Sequence, residues 1–433
     1  MPASGSGSKM FKTLFEFAEN YKPSEESLSA YINRTGSYNL NIFFNNIKDF
    51  AFYDLVKEEV ANINLSSMSR DEKKFALVQS ILTNNDLQLT SLPKALVPLQ
   101  KYKSHSKNAF EEQLECFGKL SDKFKTNQLN FIVSPQHLTN FVKALDEGYE
   151  ERKGSQHITF SIQDDETDVL CLKNNRELLL NEEGQPIKQP DGHGVLVSNL
   201  NSMEEDLILL SNIGNIARKK YHKKHIDNRK LLMGYTIFCA KRIKFFLDLQ
   251  ENDDIDKKNK SKLSKFLRKY FHIDLDKVLT NSTEGFHSTI FHLLNKPIRI
   301  AGVVRNESNL GEAPYWAKNS KGVSCLQLVA KEEINHKIPQ QQEIYESSTH
   351  FNPVEMVIYN KNHRGEKFDL SLHAEDEPSI LVEKSHGDHQ IKYLEKPGLW
   401  NAGMRNYLTM FIQIKSGVFN PVEEITDVLK KYH

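Results

Sequence analysis

Apolar positions change their spacing along the chain, and the changes outline its organisation. In residues 10–90 they recur every three to four positions: Phe11, Leu14, Phe15 and Ala18 form one stripe, and Phe43, Phe44, Ile47, Phe50, Ala51 and Leu55 another. That spacing predicts helices with one buried face. Ser69-x-x-Glu72 stands just ahead of Phe75, Ala76, Val78 and Ile81, the pattern of a capping box at a helix start. From about residue 108 the pattern alternates. Residues 108–120 read as helix, 130–134 as a short buried strand, 135–145 as helix, and 157–162 and 206–210 as further strands. Short apolar strands alternating with helices predict an α/β fold whose sheet is mixed, mostly parallel, and covered on both faces.

Residues 217–275 return to helical spacing and are locally basic at 218–225 and 257–269. Tyr235, Phe238, Cys239, Ile243, Phe246 and Leu247 give the opposite face a core stripe, so a solvated helix face outweighs a phosphate patch here. His222-x-x-His225 has the spacing of a metal pair, but the pattern offers no acidic third ligand. Strands resume at 299–304, 324–329, 354–358 and 408–414, and a final helix is expected at about 422–431. The chain shows no internal repeat.

Composition narrows the class without naming a chemistry. With 433 residues, 39% hydrophobic and 26% charged, the chain suits a soluble protein of one large domain with appendages, or of two to three smaller ones. Lys plus Arg and Asp plus Glu balance at 57 each, so bulk charge favours neither nucleic acid nor an anionic membrane, and any anion must be recognised locally. Cys116, Cys171, Cys239 and Cys325 lie far apart with no CxxC spacing, as expected of reduced thiols in a cytosolic protein. There is no apolar run of membrane-spanning length and no signal-peptide layout, which makes the cytoplasm the expected compartment.

Three stretches can carry chemistry. Ala3, Ser4, Gly5, Ser6, Gly7 and Ser8 leave a backbone with little side-chain bulk, able to turn N–H groups toward an anion at the start of a helix, with Lys9 adding charge. Pro93-Lys94 holds a lysine beside a turn proline, and Pro190-Asp-Gly-His-Gly194 is a tight turn that admits close approach of a ligand to its backbone. Singly, these are equally a flexible leader, a surface lysine and a hairpin turn.

Taken in order, they resemble the signature of the sugar-nucleotide pyrophosphorylases: a small-Gly-x-Gly loop, then Pro-Lys, then a Gly-x-Gly base loop. The chain looks closest to a bacterial domain family of unassigned function allied to UDP-sugar and UDP-N-acetylhexosamine pyrophosphorylases. The resemblance implies a nucleotidyltransferase (GT-A-like) α/β fold. It divides the chain into a glycine loop at 1–10, a helical insertion at 11–90, an α/β domain at 91–415 with a helical excursion at 217–295, and a C-terminal segment at 416–433. The implied reaction is attack of a sugar 1-phosphate on the α-phosphate of UTP with release of pyrophosphate, assisted by Mg2+.

By the same resemblance Lys9 and Lys94 stabilise charge. Ala3, Ser4, Gly5 and Gly7 cradle the nucleotide, and Gln163 and Gly192 meet the base. His193, Arg305, His350 and Phe351 meet the sugar and its phosphate. The family's loop follows a first strand, whereas this chain begins inside the loop, so a strand is expected upstream of Met1. Three positions depart from the pattern: Lys9 stands for arginine, Gly214 for the metal-binding aspartate, and Glu423, in the stretch 419–429, for a phosphate-neutralising lysine. The expected partners are UTP or another nucleotide and a sugar phosphate, with no nucleic acid and no membrane. Two functions remain open, an active transferase and a module that binds nucleotide or sugar nucleotide without turnover. A glycosyltransferase of related fold would want an Asp-x-Asp metal motif, and no convincing one is present.

Overall fold

The computed structural model describes residues 1–5, 7–83, 89–121, 128–147, 157–163, 168–173, 175–189, 192–215, 218–252, 255–306, 312–318, 324–375, 380–386, 389–396, 398–415 and 422–430. The chain divides into two units: Met1–Ile162 with Asn212–Ile226 and Gly417–His433, and Gln163–Ser211 with Asp227–Ser416. The division at residue 162 falls inside the stretch read from sequence as one α/β domain.

The first unit opens with helices. Lys12–Asn20, Leu28–Thr35, Asn39–Asn45, Tyr53–Leu65 and Arg70–Thr83 follow in order. The stripe through residues 43–55 is broken into two helices, because Phe50 is extended and buried between them. The capping box forms in both directions: the Ser69 amide donates to Glu72 Oε2 at 2.7 Å, and the Glu72 amide to Ser69 Oγ at 3.3 Å. Phe17 packs on Tyr21, Tyr31, Phe44 and Phe75 with ring centroids 4.8–5.9 Å apart, which joins these helices through one aromatic centre.

Further along, Gln128–Val133 and His157–Ile162 pair in parallel. Helices Ala109–Ser121 and Leu138–Glu147 bring Phe110 and Phe141 against Phe131 and Phe160 of those strands. Residues 1–3 run parallel to the first of these strands: Ala3 donates to Ile132 O at 2.8 Å, and Ile132 donates to Met1 O at 3.0 Å. The glycine turn therefore does follow an extended stretch. Near the other terminus, Ile425–Leu429 is a 3-10 helix rather than the expected α-helix. Val422, Ile425 and Val428 join the same apolar core as Phe11 and Val97.

In the second unit the main sheet is built on Ile298–Arg305, which is buried along all but its last residue. Leu408–Gln413 pairs with it in parallel; His350–Phe351 and Glu355–Tyr359 pair with it antiparallel; Leu207–Ser211 adds antiparallel to Glu355–Tyr359. This sheet is thus mixed, and the expectation of a mostly parallel one is corrected. Apolar runs buried on both faces look alike in either direction, and direction is set by connections that the pattern does not show. Helix Lys257–Phe271 buries Leu263, Phe266, Leu267 and Phe271. Its lysine-rich flank is the solvated face the sequence indicated. A small three-stranded layer, Leu172–Lys173, Ile380–His386 and His389–Glu395, closes over Cys171, Leu179, Ile391 and Tyr393. All four cysteines are free thiols.

Candidate functional site

The first unit brings the glycine turn and the Pro-Lys motif together although they are far apart in sequence. The Lys94 amide donates to Gly5 O at 3.0 Å, and the Gly7 amide donates to Leu92 O at 3.0 Å. A Cβ on Gly7 would stand 2.6 Å from Leu92 O, so only glycine permits this approach. The Gly7 and Ala3 amides are therefore spent on the protein's own backbone, and neither can face an anion as the sequence implied. The amides of Ser4 and Gly5 have no partner among the described residues. Space around the Gly5 Cα is open, which leaves that part of the turn to receive a ligand. Lys9 is exposed in the 3-10 turn Ser8–Phe11 that leads into the first helix.

Lys94 is the centre of this arrangement. Its ammonium donates to Val422 O. Burial pulls it below the ordinary lysine range, Glu423 and Asp427 hold it up, and Lys9 adds to the lowering. Burial opposes ionisation of Asp427, yet Lys430 and the amides of Glu424 and Glu423 keep it below the usual carboxylate range. Glu423, read from sequence as a reversed charge beside a phosphate site, thus lies close enough to Lys94 to favour its charged form. Gly214 lies beside them: a Cβ there would be 3.1 Å from Lys94 Nζ and 3.3 Å from Asn212 Oδ1. Magnesium does not fit at this position. Gly214 offers no ligand, and a cation placed there meets the Lys94 ammonium.

The remaining predicted residues belong to the second unit. Gln163 directly follows strand His157–Ile162. Gly192 has the Glu395 carboxylate against it, with Oε2 2.9 Å from where a Cβ would lie. His193 opens the 3-10 turn His193–Val195, while Pro190 and Asp191 of that motif lie outside the described residues. Arg305 ends its strand opposite His350, whose Nε2 is 3.4 Å from Gln413 Oε1 and whose Nδ1 is 2.9 Å from Thr349 Oγ1. Phe351 is 5% exposed opposite Val304, so it serves the core rather than an open pocket.

Sequence reasoning missed the polar centre beside that strand end. Arg229 donates to both oxygens of Glu355, at 2.9 and 3.2 Å, and Ser211 Oγ donates to Glu355 Oε2 at 3.0 Å. All three are buried. Leading into Glu355, Val354 holds φ at +57°, a conformation costly for a β-branched side chain. Asn352 supports it by accepting from the Val354 amide at 2.8 Å and donating to Gly302 O at 2.6 Å. A carboxylate within the apolar run 354–358 was the available signal; Arg229 was hidden in a basic helix.

A second buried centre lies in the first unit. His222 Nε2 is 2.8 Å from Glu112 Oε2, and Glu115 brings a third ligand-type atom within 4.8 Å. The fold therefore supplies the acidic neighbours that the sequence pattern lacked. Burial opposes ionisation of Glu115, but Lys119, Lys107 and Lys219 hold it far below the usual range. Lys119 also lies 3.3 Å from His222 Nδ1, and Tyr102 donates to Glu112. With three ammonium groups already on one carboxylate, the cluster is compensated without a metal.

A family model described as "Domain of unknown function (DUF4301)" matches residues 1–433. The chain belongs to that family. No curated protein matches it. Among solved structures it is similar to the uridine diphosphate N-acetylglucosamine pyrophosphorylase of Trypanosoma brucei in complex with inhibitor, at 11% identity over 97% of this chain and 81% of that one, with a TM-score of 0.44. It is also similar to the UDP-glucose phosphorylase of Trypanosoma brucei, at 13% identity over 78% and 62% and a TM-score of 0.43. A third is a point mutant of the UDP-glucose pyrophosphorylase from Leishmania major in complex with UDP-glucose, at 14%, over 78% and 61%, with a TM-score of 0.42. The match thus spans about three-fifths of the last two proteins' own length. Among the described residues of this DUF4301 chain, no helix is long and apolar enough to cross a membrane.

Proposed function

We propose that this protein is a nucleotidyltransferase with a GT-A-like α/β fold, acting as a sugar-1-phosphate uridylyltransferase whose triphosphate site is the Gly5–Lys94 turn. The observation that supports the reading is the backbone pairing of Gly5 and Gly7 with Leu92 and Lys94. It puts two lysines and two amides, unpaired among the described residues, at one turn. In the reaction an oxygen of the sugar 1-phosphate attacks the α-phosphorus of UTP, the bond to the bridging oxygen breaks, and pyrophosphate leaves with the electron pair. Lys94 and Lys9 stabilise the charge that develops. Phosphate oxygens would take the place that Glu423, Asp427 and Val422 O hold around Lys94. No step is routed through magnesium.

Gly214 and Glu423 favour a second reading, in which the same turn holds a nucleotide or sugar nucleotide without turnover. Calorimetry with UTP and UDP-glucose, with and without magnesium, together with a pyrophosphate-release assay over a panel of sugar 1-phosphates, separates the two. The transferase reading expects UTP binding weakened at least tenfold by Lys94→Ala, and pyrophosphate release with at least one sugar. Lys94-dependent binding without release from any sugar establishes the binding module. Absence of binding by every nucleotide overturns both.

A further inference from the structure

At the opposite end of the main sheet in the second unit lies a cavity of about 250 Å³ that the proposed function does not use. Tyr359 marks it, opposite Ile298, whereas His350 lies opposite Arg305. The strand Ile298–Arg305 separates the two ends by roughly 23 Å at about 3.3 Å per residue. One wall is the face of helix His222–Glu251 that carries Ile237, Ile243 and Leu247, completed by Leu294 and Phe368. Lys241, Lys244, Lys296 and Lys361 also line it, and among the described residues no carboxylate does.

The acids that compensate these groups stand outside the lining. Asp248 holds Lys244 at 3.0 Å, Asp206 holds Lys361 at 2.7 Å, and Lys244 also donates to His363 O at 2.7 Å. Two ammonium groups are therefore positioned in advance, which lowers the ordering cost of binding. Lys241 has no carboxylate partner among the described residues. His363 is 7% exposed and lines the same cavity. Its Nε2 is 2.8 Å from Glu251, and its Nδ1 has no partner among the described residues. A buried ring nitrogen left without a partner is costly unless something else completes it.

We infer that this cavity binds a small phosphate monoester, its phosphate among the lysines and its ring or short aliphatic part on the apolar wall. Several ammonium groups without a lining acid suit a dianion better than a single carboxylate. The volume, below the ~300–1,000 Å³ of drug-sized sites, limits the ligand to about one ring.

Phenyl phosphate is the probe, titrated calorimetrically into the full chain, with inorganic phosphate and phenol as its two halves. Phenyl phosphate should bind at least tenfold more tightly than either half. Lys241→Glu, on an exposed helix position, should weaken it at least tenfold while leaving UTP affinity and the thermal midpoint unchanged. Lys241→Gln, which removes charge without reversing it, should give an intermediate loss. Binding that survives Lys241→Glu, or that is lost in Lys94→Ala instead, overturns the inference, as does phenyl phosphate binding no better than inorganic phosphate.

Discussion

Lys94 in the first unit and Arg299 in the second are both cations drawn out of water, and they are compensated in opposite ways. Arg299 is 0% exposed, and burial pulls it down to about 9, where it remains protonated at neutral pH. Its partners are neutral: Thr409 Oγ1 at 3.1 Å, Trp400 O at 2.6 Å and Gln327 Oε1 at 3.0 Å. Two of the three lie in strands of the same unit, so the guanidinium fork ties strand to strand. Among the described residues Lys94 has one backbone acceptor and two nearby carboxylates, of which Glu423 is exposed. Neutral acceptors inside strands cannot be exchanged for a ligand, whereas carboxylates on a short terminal segment can give way to phosphate. Burial of a cation therefore does not identify a site; the exchangeability of its partners does.

The largest effect expected from breaking this contrast is on Arg299. Arg299→Ala should cost about 3–5 kcal/mol in urea unfolding, because three buried acceptors lose their donor together. A loss below about 1 kcal/mol would show that the fork is not structural.

Next comes Glu312, near the same Trp400. Burial pushes its carboxyl up to about 7. The unfolded state releases this proton at lower pH than the folded state does, so stability falls as pH rises from the ordinary carboxylate range toward about 7. The amplitude is at most roughly 3 kcal/mol. Glu312→Gln should flatten that slope in unfolding curves taken between about pH 4.5 and 7.5, and an unchanged slope would assign the dependence elsewhere.

Gly7→Ala addresses the turn that carries Lys94. Its new Cβ would meet Leu92 O at 2.6 Å, for an expected loss of about 1–3 kcal/mol by overpacking and a weaker hold on UTP. Unchanged nucleotide affinity with the stability loss present would detach the turn from binding. The smallest stability effect should belong to Lys94→Met, at about 1 kcal/mol or less, alongside the largest change in UTP affinity. The reverse order for Lys94 and Arg299 would invert the comparison.

Local signals were legible where one segment suffices. The capping box at Ser69 and Glu72, the strand His157–Ile162, and the solvated basic face of helix Lys257–Phe271 follow from neighbours along the chain, because period and capping are properties of a few consecutive residues. The departures at Gly214 and Glu423 were also visible in the residues themselves. That Glu423 faces Lys94 was not, since the chain must fold to bring 94 and 423 to the same place.

The amino-acid order by itself determined many of the helices and strands and the α/β class, and it proposed a short list of residues for phosphate, since side-chain period and residue chemistry act locally. Only the tertiary structure decided that the main sheet is mixed, that Gly7 serves Leu92 rather than an anion, and that Arg229 and Glu355 pair in the interior. Strand direction, hydrogen-bond partners and charge compensation depend on distances between residues remote in sequence. Those distances are set by packing of the whole unit, not by any stretch of it.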